Sequence, residues 1–313
     1  MSSMHMTNCI ICAVFATHSF FLTAVFSQSP PSLAQLQENL AREEVYLRAS
    51  VDNLAVEFTE TRSSVEGKPP VDTAVKLKAC TPKRLMLVQR QRSDRPSVDG
   101  VQIRNPVYFA TLDAVHPKQY AISSLDVEPW PSGDILTSGF TPRVIATAFA
   151  FNTFTTQDLF GQNFELQGSS WSEYDGKKCV KATWLWKPEK YPDGLRLDFV
   201  LSPDEHWAIR EFRQGHPQGD TVVKMRYQLY QDKLVPANVI YEEYLSGSKE
   251  IDSRRTVKFN SPRSFDGTEE QFRLSYYGLP EPKARPARKM YLLVLGAIFG
   301  LGLFAYAVWK ATR

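Results

Sequence analysis

The residues best suited to chemistry are few and scattered. Outside the apolar ends of the chain there are two cysteines, Cys80 and Cys179, and three histidines, His116, His206 and His216. Each cysteine lies on the polar side of its strand pattern, beside Lys78 or Lys181. They fit either one disulfide of an exported domain or two unrelated small residues. His116 and His216 each precede a proline, and His206 follows Asp204-Glu205 at a turn. Adjacent turn residues rarely converge on one centre, and HExxH and CxxC spacings are absent, so neither metal nor cofactor is expected. Ser246-Gly247-Ser248-Lys249 matches the SxxK of some acylating enzymes, but that motif needs the start of a helix. Here it falls between two strand patterns, where serine and glycine serve turn geometry. GxSxG is absent, and nothing pairs a nucleophile with its base. The expectation is therefore no catalytic residue and no enzyme, with an unrecognised hydrolase around His206 as the remaining enzymatic alternative.

What is left is apolar. Phe149, Phe151, Phe154 and Phe160 cluster in sequence, and Trp184 and Trp186 share one face of a strand pattern. Two readings stay open: a hydrophobic core, or a groove between a curved sheet and a covering helix. Such a groove would hold an acyl chain or an apolar peptide.

The elements that must position these residues read mostly as strands. Ser32 and Gln35 form a capping box, and Leu33, Leu36, Leu40 and Leu47 share one face, which predicts a helix near 32–49. From Leu54 the period becomes two, with Leu54, Val56 and Phe58 alternating against polar neighbours. Alternation recurs at 75–78, 85–92, 107–113, 119–126 and 164–166. Asp175-Gly176 is a hairpin signal before Val180, Ala182, Trp184 and Trp186. Leu195, Leu197, Phe199 and Leu201 form the clearest strand, and further strands fit 207–213, 221–230, 237–245, 254–260 and 271–277. Thr141-Pro142 reads as an N-cap with proline at N1, opening a helix through RVIATAFAF. The fold class is α+β: one large antiparallel sheet with helices on one face.

Charge divides the chain more sharply than the formal net charge of +3 suggests. All charged residues but Lys310 and Arg313 lie between 38 and 289, and so small a surplus gives no argument for a nucleic-acid partner, so none is expected. Residues 290–309 are uncharged and proline-free, long enough for a C-terminal transmembrane helix. Tyr291, Tyr306 and Trp309 sit near its ends, where interfacial residues belong. Gly296 and Gly300 form GxxxG, which would pair two spans into a homodimer. Residues 1–27 read as a signal peptide or an uncleaved signal anchor, although no Lys or Arg precedes the apolar run. The domain division is then 1–27 leader, 28–278 sheet-rich domain, 279–289 stiff proline and basic linker, 290–309 span and 310–313 tail. Lys283, Arg285, Arg288 and Lys289 before the span favour a cytoplasmic middle by the positive-inside rule. A preceding export signal outweighs that bias, so the middle is expected outside the cytoplasm.

The order of elements resembles the lipoprotein-carrier fold (LolA/LolB-like) of bacterial envelopes. The resemblance covers roughly residues 33–277 and rests on the N-terminal helix, the long strands, the mid-chain helical insert and the strand ending at Ser202-Pro203-Asp204. The closing FRLSYYGLPEP before a span also resembles membrane-tethered exported bacterial proteins of this fold. The resemblance implies an incomplete barrel with an apolar cavity and no catalytic residues. It implies a single-pass protein of the cell envelope whose partners are the membrane and a lipid, lipoprotein or hydrophobic peptide. The alternative is a structural or signalling ectodomain that makes protein contacts, as a dimer or alone.

Overall fold

The structure, a computed structural model, describes residues 29–64, 69–116, 119–127, 136, 140–189, 191, 193–248, 250–260, 262–265 and 268–282. The expected leader and the expected span, with Gly296 and Gly300, lie outside these residues. Among the described residues no helix is long and apolar enough to cross a membrane.

Most of the described residues are in strands. Along it come helix α1 (Leu33–Ser50), β1 (Leu54–Ser64), β2 (Val71–Cys80), β3 (Leu85–Arg92), β4 (Arg95–Arg104), β5 (Phe109–His116) and β6 (Gln119–Asp126). Then follow helix α2 (Phe140–Ile145), the short β7 (Ala150–Phe151) and β8 (Phe154–Thr155), and β9 (Phe164–Tyr174), β10 (Lys177–Trp186) and β11 (Leu195–Ser202). The last strands are β12 (Ala208–His216), β13 (Gly219–Tyr230), β14 (Lys233–Leu245), β15 (Ile251–Phe259) and β16 (Arg263–Ser264). Their contacts divide into two compact units. The first is Met1–Asp52, Val56–Ala74 and Asp134–Arg263, and the second is Asn53–Ala55, Val75–Gly133 and Ser264–Arg313.

In the first unit the capping box forms as the sequence predicts. The Gln35 N–H donates to Ser32 Oγ at 3.3 Å, and the Ser32 N–H donates to Gln35 Oε1 at 2.8 Å. The buried stripe of α1 is Leu36, Leu40, Glu44 and Leu47, whereas Leu33 is half exposed. Glu44 is buried because it has work for both oxygens: Arg48 Nε donates to one at 2.8 Å, while Thr156 Oγ1 and the Gln157 N–H donate to the other at 2.7 and 3.2 Å. That carboxylate ties α1 to the short 3-10 helix Thr156–Phe160.

The strands of this unit run in the order β1-β15-β14-β13-β12-β11-β10-β9, antiparallel at each pairing. Their register sets one row of facing residues across seven strands: Arg62, Arg255, Tyr241, Val223, Phe212, Phe199 and Ala182. Facing side chains share a face of the sheet, so this row grades from cationic through amphipathic to apolar. Register shifts at Glu243/Tyr244, Arg226/Tyr227, Val200/Leu201 and Thr183/Trp184 add local twist. At the β9 edge, Ser169 Oγ donates to the Pro31 carbonyl at 2.8 Å and Trp171 Nε1 donates to the Ser29 carbonyl at 3.0 Å.

The helix expected through RVIATAFAF is shorter than its pattern. It ends at Ile145, and the chain then turns, with the Phe149 and Ala150 amides both donating to the Ala146 carbonyl. Tertiary hydrogen bonds win over helix propensity here. The Ala148 carbonyl accepts from the Ile209 N–H at 2.9 Å, and the Phe149 carbonyl accepts from the Thr156 N–H at 2.8 Å.

In the second unit the strands run β2-β3-β4-β5-β6. Leu85, Leu87, Val101, Ile103, Ala110 and Leu112 build its core with Phe272 and Leu274. The strand expected at 271–277 is instead two 3-10 turns, Glu269–Phe272 and Leu274–Tyr277. Its alternation is real, since Phe272 and Leu274 are both fully buried. However, the backbone bonds side chains rather than a neighbouring strand. Asn105 Nδ2 donates to the Phe272 carbonyl at 2.9 Å, and the Leu274 N–H donates to Tyr108 Oη at 2.7 Å. The start of the expected linker is docked rather than extended. Leu279 packs against this core, and Glu281 accepts from Tyr108 Oη at 2.9 Å and from the Ser275 N–H at 2.8 Å. Burial leads in pushing the Tyr108 phenol up to about 12, with the neighbouring Glu281 adding to it.

Candidate ligand cleft

The six aromatic residues singled out from the sequence mostly fill space rather than enclose it. Phe151 lies between Phe199, Phe212 and Phe154, with ring centroids 4.9, 5.3 and 5.9 Å away. Phe154 meets Trp186 at 5.2 Å, Trp184 meets Phe199 at 5.4 Å, and Phe160 meets Trp184 at 6.4 Å. Phe149 is fully buried, with the Arg48 guanidinium 5.0 Å from its ring centroid. Of these six, Phe151 lines the neighbouring cleft, while Phe154, Phe160 and Trp186 are partly exposed elsewhere. The open space of this unit lies beside the aromatic packing, not within it.

The space is a cleft of about 630 Å³ within the first unit. Two kinds of element build it. One wall is the facing rows of β12 to β15 and β1, which bring Phe212, Val223, Tyr241 and Arg255 side by side, with Met225 in the adjoining row. The other comes from the chain after Phe140: Arg143, Thr147, Ala150, Phe151 and Asn152. Ala150, Phe151, Ile209, Phe212, Val223 and Met225 are all buried and form an apolar floor. The adjoining row on the same face, through Ser253, Glu243, Thr221 and Gln214, is polar, and Asn152 Nδ2 donates to Gln214 Oε1 there. The cleft is thus amphipathic by register: one row supplies apolar surface and the next supplies donors and acceptors.

Its charge is lopsided. Arg62, Arg143, Arg254 and Arg255 line it against the single carboxylate of Glu243, which accepts from Ser253 Oγ at 2.7 Å. Arg62 and Arg255 share the buried Glu60, at 2.5 and 3.1 Å, and Arg254 lies 3.5 Å from Glu242. Arg143 has no carboxylate partner among the described residues, and its Nε is shut from solvent without a hydrogen bond. Burial lowers the pKa of Arg143, opposed by Tyr241, and lowers that of Arg255, opposed first by Glu60. Burial raises the Tyr241 phenol, opposed by the charges of Arg143 and Arg255.

The remaining sequence candidates stand apart from the cleft or at its margin. Cys80 and Cys179 are buried free thiols, so the bridge entertained from the sequence is not formed. Cys80 packs in the core of the second unit, while Cys179 lies on β10 of the first. His206 stacks on Tyr46 at 3.7 Å, and its Nδ1 lies 2.9 Å from Glu43 Oε2. His116 ends β5 in the second unit, and His216 sits at the end of the cleft. Ser246–Ser248 make the turn between β14 and β15. Arg143 carried a signal the sequence reading passed over: from residue 135 to residue 157 it is the sole charged side chain.

No family model matches the chain, and no curated protein matches it. Among solved structures it is similar to a putative outer membrane lipoprotein-sorting protein domain from Vibrio parahaemolyticus. That match has 9% identity, 77% of this chain and 97% of that chain covered, and a TM-score of 0.46. It is similar to a DUF1329 family protein from Desulfovibrio piger, with 11% identity, 80% and 100% coverage and a TM-score of 0.44. A LolA superfamily protein from Nitrosomonas europaea is similar at 8% identity, with 76% and 98% coverage and a TM-score of 0.44.

Proposed function

We propose that the first unit is a binding module for an apolar chain, acting at a membrane outside the cytoplasm, with 290–309 as its anchor. One observation carries the reading: a cleft of about 630 Å³ whose floor is six buried apolar side chains and whose margins are polar. That combination suits a ligand with one end to keep dry. At about 30 Å³ for a water-sized group, the space has room for roughly twenty such groups, on the scale of a single acyl chain with its head.

Titrating the full chain with uncharged n-alkanols against an uncharged fluorophore tests this. Each buried methylene contributes about 0.8 kcal/mol, close to fourfold in affinity. Displacement should therefore tighten about fourfold per carbon until the chain outgrows the cleft. A flat series from octanol to tetradecanol would sink the reading.

A further inference from the structure

The cleft contains a cation that no carboxylate among the described residues pairs. Three of its four arginines have carboxylates: Arg62 and Arg255 meet Glu60, and Arg254 meets Glu242. Arg143, projecting from α2, has none among the described residues, and its Nε donates to nothing although no water reaches it. A guanidinium cannot relieve this by losing its proton, because it stays charged across the accessible pH range. Burying a charge is costly unless it is paired, so a part-buried guanidinium without a carboxylate calls for a partner from elsewhere. The apolar floor begins beside it: Ala150 and Phe151 follow in the same segment, with Ile209 and Phe212 next to them.

We infer that the cleft takes a single-chain anionic amphiphile, its carboxylate or phosphate head accepting from Arg143 and its chain lying over Phe151, Ile209, Phe212 and Met225. This rests on the chain-binding reading above and adds the head group and its seat. An anionic head supplies the Arg143 guanidinium with the counter-charge that the described residues do not, and bonds between ions are about twice as strong as neutral ones. An alcohol fills the floor but leaves the ion pair unmade. A quaternary ammonium brings like charge to a surface that already holds four arginines.

The test displaces Nile red, an uncharged probe, from the full chain. Its competitors share a twelve-carbon chain: dodecanoate, dodecyl phosphate, dodecanol and dodecyltrimethylammonium, all below their micelle concentrations. Both anions should displace the probe at concentrations at least tenfold below dodecanol, with the ammonium weakest. A tenfold difference between the two anions would identify the head as carboxylate or phosphate. In Arg143→Gln the anion-to-alcohol ratio should collapse towards one, and in Arg143→Lys it should survive in part. Dodecanol binding as tightly as the anions would overturn the head-group inference and leave chain binding intact. If none of the four displaces the probe, both readings fall. A preference that persists undiminished in Arg143→Gln would remove Arg143 from the role. The wild-type ranking needs no variant, so it decides even if a substitution unfolds the chain.

Discussion

Replacing Glu44 with glutamine changes one atom type in a side chain that is 1% exposed, yet three donors aim at it. In the wild type one oxygen accepts from Arg48 and the other from both Thr156 and Gln157. A glutamine keeps one acceptor oxygen and turns a donating amide on the donors that face the other position. Hydrogen bonds to a charged group contribute roughly 1.5–3 kcal/mol net and neutral ones roughly 0.5–1.5, so each loses about 1 kcal/mol. The Arg48 contact is discounted, because that side chain is 36% exposed and water screens it. The expected loss is about 2–3 kcal/mol. Denaturant unfolding followed by tryptophan emission measures it, since Trp171, Trp184, Trp186 and Trp207 all belong to the first unit. Thr156→Val should cost about 1 kcal/mol, and the double variant should lose less than the sum because the two residues share one bond. A shift below about 0.5 kcal/mol in Glu44→Gln, or strict additivity with Thr156→Val, would refute the tie between α1 and the 3-10 helix.

Two further outcomes concern the strands of the first unit. Gly219 has φ +148°, and a Cβ there would lie 1.8 Å from the Tyr244 carbonyl oxygen, so Gly219→Ala should cost about 3 kcal/mol or more. Gly176, at φ +73° with open space around it, should lose only about 1 kcal/mol on the same change; equal losses in thermal melts would refute the clash. Burial raises Glu242 and Glu205, but hydrogen bonds and charges from Lys224 and Tyr244, and from Arg210 and Lys177, outweigh it and leave both carboxyls below 4.5. Their stabilisation is therefore complete above the unfolded value of 4.5 and is lost as pH falls through the lower folded values. Acid titration of the midpoint should show that loss, and Glu242→Gln should flatten it; parallel curves would contradict the assignment.

Much of the fold was readable because it is local. The Ser32–Gln35 box and the spacing of Leu36, Leu40 and Leu47 define α1 within one residue, and the Leu195–Leu201 alternation is β11. Local pattern failed where distant groups claimed the backbone. Asn105 and Tyr108 turned the alternation at 271–277 into 3-10 turns, and Ile209 and Thr156 cut short the helix begun at Phe140. Strand β4 went unread because Pro96 and Gly100 interrupt it, although Val101 and Ile103 alternate correctly at its end. The cleft was less legible still. Arg62, Arg255, Tyr241 and Val223 become neighbours only through register between strands that lie far apart in sequence. Aromatic density therefore pointed to the packing beside the cleft, while the charge that distinguishes the cleft stood alone in an uncharged stretch.

The contact of Ser29 and Pro31 with β9 has a bearing on solubility. A terminal strand of a sheet offers unpaired amides and carbonyls to any similar strand it meets, and proteins guard such strands with covering segments. Here the chain before α1 lies against β9, held by the Ser169 hydroxyl and the Trp171 indole. A version starting at Leu33 would lose both bonds and the α1 cap together. It should uncover the Ser169 and Trp171 side chains beside that strand and raise self-association in solution, an outcome visible in light scattering before any loss of fold.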